Sequence, residues 1–192
     1  MVKKYSLSLR RVTPDDAEFL YSRAQEGLLD AYRPNFLKFC PTVNDVASRI
    51  ALHQTVKPEI ELEFFITLRD EPEPKGMIAL LGIDYINKKC EMSLTLFEQK
   101  CRRLALQAVW VALQHGFEVC GLDKIVYYVP EFNRALLNLL KIEGIEPEAL
   151  LIREILHSDL GRRDVYRFSV FKEDLSAPFW KKIGRLATKL LP

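Results

Sequence analysis

The chain has 192 residues, 48% of them hydrophobic and 28% charged, and a formal net charge of +2. That length buries one good core rather than two, and so small an excess of cations argues against nucleic acid as a partner. Cys40, Cys90, Cys101 and Cys120 form no Cys-x-x-Cys pair and have no histidine at ligand spacing, which excludes a zinc or disulfide signature. No apolar run approaches the roughly 20 residues of a bilayer span, and the N-terminus lacks a signal-peptide core. The expectation is a cytoplasmic protein with reduced thiols and no metal.

Alternation from Tyr5 to Val12, with Tyr5, Leu7 and Leu9 on one face, predicts a first strand. Thr13 then caps a helix running to about Leu29, with Pro14 at its start and Asp15 and Asp16 against the positive end of its dipole. A second helix spans Thr42 to Thr55, with Thr42 and Asp45 as a capping pair. The stretches 60-IELEFFITLRD-70, 77-MIALLGIDYI-86 and 90-CEMSLTLF-97 predict an antiparallel meander, and 70-DEPEPK-75 a solvated hairpin tip.

A long apolar helix follows from about Arg102 to Val119, then a strand at 124–129 and a helix from Arg134 closed by Gly144. Strands at 149–156 and 164–171 flank a turn at 157–163. This order predicts an α+β fold, a mixed, mostly antiparallel sheet of about seven strands with helices on both faces. Residues 5–172 form the expected domain. Residues 173–192 are expected as a basic amphipathic extension with Phe179, Ile183, Leu186 and Leu190 on its apolar side and Lys181, Lys182, Arg185 and Lys189 elsewhere. That helix is expected to pack on its own domain or on a second copy, with another protein partner as the alternative and a membrane surface the least favoured.

The pieces LRRVTPDDAEFLY, KGMIALLGIDYINKKCEMSLTL, LALQAVWVALQHGFEVCGLDKIVYYV, the Asn133–Gly144 stretch and GRRDVYRFSV, in this order, resemble the GNAT superfamily of acyl-CoA-dependent N-acetyltransferases. Within it they are most similar to the ribosomal-protein N-terminal alanine and serine acetyltransferases. The resemblance implies acetyl-CoA as co-substrate and an amine as acceptor. It implies two strands splayed apart, with the edge at Leu94 and Leu96 pairing the pantetheine amides, and a pyrophosphate loop ahead of the long helix. The family's loop has two glycines; here Cys101 and Arg103 stand on those positions and Glu98 on the leading Gln or Arg. Lys100, Arg102 and Arg103 are expected to make charge-assisted contacts instead, with Cys101 and Leu104 completing the loop. Asn133 matches a family asparagine at the cofactor arm. Leu136 replaces a common serine, and Leu140 stands where many members carry a proton-donating tyrosine.

Glu91 matches the family's strand glutamate and is the expected general base; as an alternate strand residue it also reads as merely solvent-facing. Tyr128 is the expected acid, with Ser93 and Tyr127 as further hydroxyls. His53, His115 and His157 form no constellation with a nucleophile, and His115 is expected on the exposed side of its helix. The connection 27-GLLDAYRPNFLKFCPT-42, with Tyr32, Arg33 and Phe36, either lines an acceptor cleft or covers the core. Two functions compete: an acetyl-CoA-dependent N-acetyltransferase acting on a protein N-terminus or small amine, and an inactive module of the same fold serving binding or assembly.

Overall fold

The computed structural model describes residues 7–30, 33, 35–68, 71–98, 102–157 and 160–188, with Arg102, Arg103 and Thr188 placed by backbone alone. Tyr5, Tyr32, Lys100, Cys101, Lys189 and Leu190 lie outside the described residues.

Strand β1 (Leu7–Arg11) has its inward side led by buried Leu7. The Thr13 backbone N–H and hydroxyl both donate to Asp16 Oδ2, at 2.8 and 3.0 Å. That grip tightens Pro14–Asp16 into a 3-10 turn ahead of α1 (Ala17–Gln25), which stops short of the predicted end at Leu29. A short α2 (Phe36–Phe39) was absent from the sequence reading because one turn shows no helical period. Helix α3 (Val43–Thr55) carries the expected cap: the Asp45 N–H donates to Thr42 Oγ1 at 3.2 Å, and the Thr42 N–H donates to Asp45 Oδ2 at 3.0 Å.

The meander comprises β2 (Glu61–Leu68), β3 (Glu71–Asp84) and β4 (Lys89–Leu96). The stretch expected as a hairpin tip instead opens β3: Leu68 pairs with Glu71, and Lys75 is buried with its ammonium 3.1 Å from Glu71. Pro72 and Pro74 fit there because β4 pairs with β3 only from Gly76 onward, so few ladder donors are lost.

Helix α4 (Arg102–Gln114) continues into a π turn, His115–Val119. Next come β5 (Lys124–Pro130), α5 (Arg134–Ile142), β6 (Ala149–His157), β7 (Gly161–Phe171) and α6 (Pro178–Thr188). Gly144 closes α5 with φ +72°, a left-handed conformation that side chains resist. The sheet order is β1-β2-β3-β4-β5-β7-β6, and among the described pairs only β4 with β5 is parallel. Helices α1–α3 pack on one face over Leu20, Phe65 and Met77. Helices α4 and α6 pack on the other over Ile78, Leu80 and Ile125, and α5 adds Leu140 against Val129 and Phe168.

Helix α6 is seated on its own domain. Phe179, Trp180, Ile183 and Ala187 are buried while Leu186 is 49% exposed, so its seam lies to one side of the predicted one. The cause is Gly184, which faces Trp110 so closely that a Cβ there would lie 2.6 Å from Cζ2. Gln107 Nε2 donates to the Leu186 carbonyl at 3.4 Å, and Lys182 reaches Glu143 at 3.2 Å. The apolar face of α6 is thus occupied within the chain, leaving its basic side outward. No helix among the described residues is long and apolar enough to cross a membrane.

Candidate active site

The β4–β5 ladder has three rungs, Lys89↔Lys124, Cys90↔Ile125 and Glu91↔Val126. Beyond them β4 stays paired with β3 as far as Leu96, and β5 with β7 as far as Pro130. The two strands therefore part directly after Glu91, and the facing edges of 92–96 and 127–130 carry no further rung among the described residues. Such an edge presents backbone donors and acceptors to an extended amide chain.

Alternation sorts the candidates onto the two faces of this fork. Glu91 and Ser93 lie on the α1–α3 side, as does Thr95, whose hydroxyl donates to the Leu28 carbonyl at 3.0 Å. Val126, opposite Glu91, shares that side, and so does Tyr128, which is 40% exposed. Leu94 and Leu96 point to the α4 side and pack against its core. Arg102 and Arg103 open α4, where the first-turn N–H groups lack helical partners. The Leu104 side chain is buried in the core, so only its backbone is presented to the fork. Asn133 caps α5, its Oδ1 accepting from the Leu136 N–H at 3.3 Å.

Tyr127 points to the α4–α5 side and stacks on Phe168, with ring centroids 5.3 Å apart. Its hydroxyl is buried with no hydrogen-bond partner among the described residues, and burial pushes its pKa far up, so it stays an O–H donor. Burial likewise pushes the Cys90 thiol up to about 12, which keeps it un-ionised. His115, expected on an exposed helix side, instead packs edge-on against Phe64 at 5.5 Å, and burial lowers its pKa.

Glu91 is exposed by surface area, yet its neighbours desolvate the carboxyl enough to raise its pKa above the ordinary glutamate value; the Arg33 cation opposes that shift. Arg33 is fixed by two carboxylates of β2, at 2.5 Å from Glu61 and 3.1 Å from Glu63. Arg49 of α3 reaches the same pair at 3.3 and 3.2 Å, and His53 Nδ1 lies 2.8 Å from Glu61. Glu63 is 7% exposed; burial opposes its charge, but Arg49 and Arg33 outweigh it and hold its pKa below the usual value. The sequence reading missed this cluster apart from Arg33. Its signal is two acids on the inward parity of an otherwise apolar strand. Phe36 is buried in the core beneath the connection. No group of three or more metal-ligating side chains occurs among the described residues.

No curated protein matches the sequence. Solved structures do match the fold. A point mutant of the spermidine N-acetyltransferase SpeG from Vibrio cholerae superposes with a TM-score of 0.72 at 20% identity, covering 90% of this chain and 97% of that one. A dodecameric structure of spermidine N-acetyltransferase from Vibrio cholerae in an intermediate state gives 0.73 at 20% identity, with the same coverage. The model of the acetyltransferase (GNAT) domain matches residues 6–146, most of the chain, and the protein belongs to that family.

Proposed function

We propose that the protein transfers an acetyl group from acetyl-CoA to a primary amine, on a protein N-terminus or a small molecule. The observation that carries this reading is the parting of β4 from β5 directly after Glu91. The names of the structural neighbours, which are spermidine N-acetyltransferases, support amine acetylation as the class of reaction.

The residues of the fork fit the cofactor: an open strand edge suits its amides, and the buried Tyr127 hydroxyl has a proton to donate and no acceptor within the described chain. When bound, acetyl-CoA supplies the activated acetyl thioester. The backbone at Leu94 and Leu96 pairs the amide arm, Asn133 borders it, and the α4 N-terminus with Lys100, Cys101, Arg102, Arg103 and the Leu104 backbone receives the phosphates. Glu91, with its raised pKa, takes the proton that the amine nitrogen loses as the N–C bond forms. Tyr128 returns a proton to sulfur as the C–S bond breaks.

A second reading, a binding module without turnover, is favoured by Leu140, a buried leucine where the resemblance places a proton donor. Melting with and without acetyl-CoA tests the first. A ligand at 100 times its Kd stabilises by about 2.7 kcal/mol, so the melting temperature rises and thiol release follows addition of an amine. An unchanged melting temperature at millimolar acetyl-CoA, with no thiol release, leaves the module.

A further inference from the structure

The acid cluster beside the fork bears on what kind of amine this site takes. In register, Glu61 faces Leu81 and Leu81 faces Glu91, so Glu61 and Glu91 share one face two strands apart, ~10 Å at ordinary strand spacing. An acceptor whose reacting amine sits at Glu91, and which carries a second ammonium on a flexible chain, would place that charge toward Glu61 and Glu63. Those carboxylates are already matched by two guanidiniums, Arg33 from the 26–42 connection and Arg49 from α3. The void beside them measures only about 10 Å³, room for roughly one water. On the far side of the fork Tyr128 pairs across strands with Arg167, itself 3.3 Å from Glu148. Ion-paired guanidiniums thus stand on both flanks of Glu91, and the nearest acids, Glu61 and Glu63, hold no uncompensated charge for a polycation.

We infer that Arg33 and Arg49 make the acceptor side selective for a lone amine bordered by uncharged groups, and against polyamines. The guanidiniums fill the place a distal ammonium would take, and by neutralising Glu61 and Glu63 they leave it no counter-charge. This inference rests on Glu91 marking the acceptor position in the proposed acetyl transfer. It concerns binding of the acceptor as much as turnover, so it is testable without turnover.

The experiment compares spermidine with a short uncharged-side-chain peptide bearing one free α-amine. With acetyl-CoA present, the wild type should release thiol with the peptide at a kcat/KM at least about tenfold above that with spermidine. Spermidine alone should leave the wild-type melting temperature unchanged at low ionic strength. Arg33→Gln leaves each carboxylate its contact with Arg49 and should move both readouts toward spermidine. Arg33→Lys keeps the charge and should behave as wild type in acceptor preference. A wild type that prefers spermidine, or that spermidine stabilises as strongly as it does Arg33→Gln, overturns the inference. An Arg33→Gln preference identical to wild type overturns the role of Arg33. If Arg33→Gln does not fold, the two wild-type measurements decide alone. Failure of the acetyl-transfer reading is seen separately, as absence of any response to acetyl-CoA.

Discussion

Gly184 lies against the face of Trp110, where an added Cβ would fall 2.6 Å from Cζ2 and 2.8 Å from Cε2. In an ordinary helix interior, glycine to alanine stabilises by about 1 kcal/mol. Here Gly184→Ala is expected to destabilise by about 1–3 kcal/mol, because the indole or the whole of α6 must move. Urea denaturation reads the sign directly, and a gain in stability would mean that α6 does not sit on Trp110.

Glu63 is the buried charge on which the first layer of helices depends. Replacing it by alanine leaves Arg33 and Arg49 with Glu61 as their remaining carboxylate in the cluster, with an expected cost of about 1–3 kcal/mol. Its folded-state pKa is lowered, so the stability it contributes is present above the usual glutamate range and is lost as pH falls through the folded value. Denaturation curves across the acid range should show that loss in the wild type, and a flatter dependence in Glu63→Gln.

Glu91 has the opposite sign. With a raised folded pKa, its favourable contribution is present below the ordinary glutamate value and disappears as pH rises through the folded one. At neutral pH the ionised group is therefore a small liability to the fold. Glu91→Gln should melt no lower than wild type at pH 7 while kcat falls by about 10²–10⁴-fold, the usual worth of a positioned base. The wild-type rate should climb with pH through a midpoint above that of an ordinary glutamate. Full activity in Glu91→Gln would return Glu91 to the status of a solvent-facing strand residue.

Tyr127→Phe removes a buried hydroxyl without altering the ring that stacks on Phe168. An unsatisfied buried polar group costs about 1–3 kcal/mol, so the variant should equal or exceed the wild type in stability. If the hydroxyl serves the cofactor, calorimetric titration should show acetyl-CoA affinity reduced about tenfold, matching one lost hydrogen bond. Unchanged affinity would remove the hydroxyl from the cofactor site.

What was legible in the chain was local. The Thr42–Asp45 cap, the meander and Gly144 at the end of α5 rest on neighbours a few residues apart, and each stands where its chemistry put it. The start of β3 was misread because Pro72 and Pro74 look the same in a turn as in a strand with no β4 neighbour to donate to. The seam of α6 was misplaced by one column because Leu186 outweighs Ala187 in apolar character, while the deciding contact is with Trp110 on another helix. The acid cluster joins a connection, a helix and a strand, and the parting of β4 from β5 is a matter of register between residues 35 apart in the chain, for which no local pattern exists.

Three rungs between β4 and β5 also make a seam in the mechanical sense. The β1–β4 half is tied together by long antiparallel ladders, and so is the β5-β7-β6 half, whereas the joint relies on Lys89–Glu91 and on α4 and α6 lying across it. Amide protons on the two sides should therefore exchange as separate cooperative units, with the slowest in each half far from the joint. Anything threaded between the strands would rivet that seam, and protection at 92–96 and 127–129 would rise together.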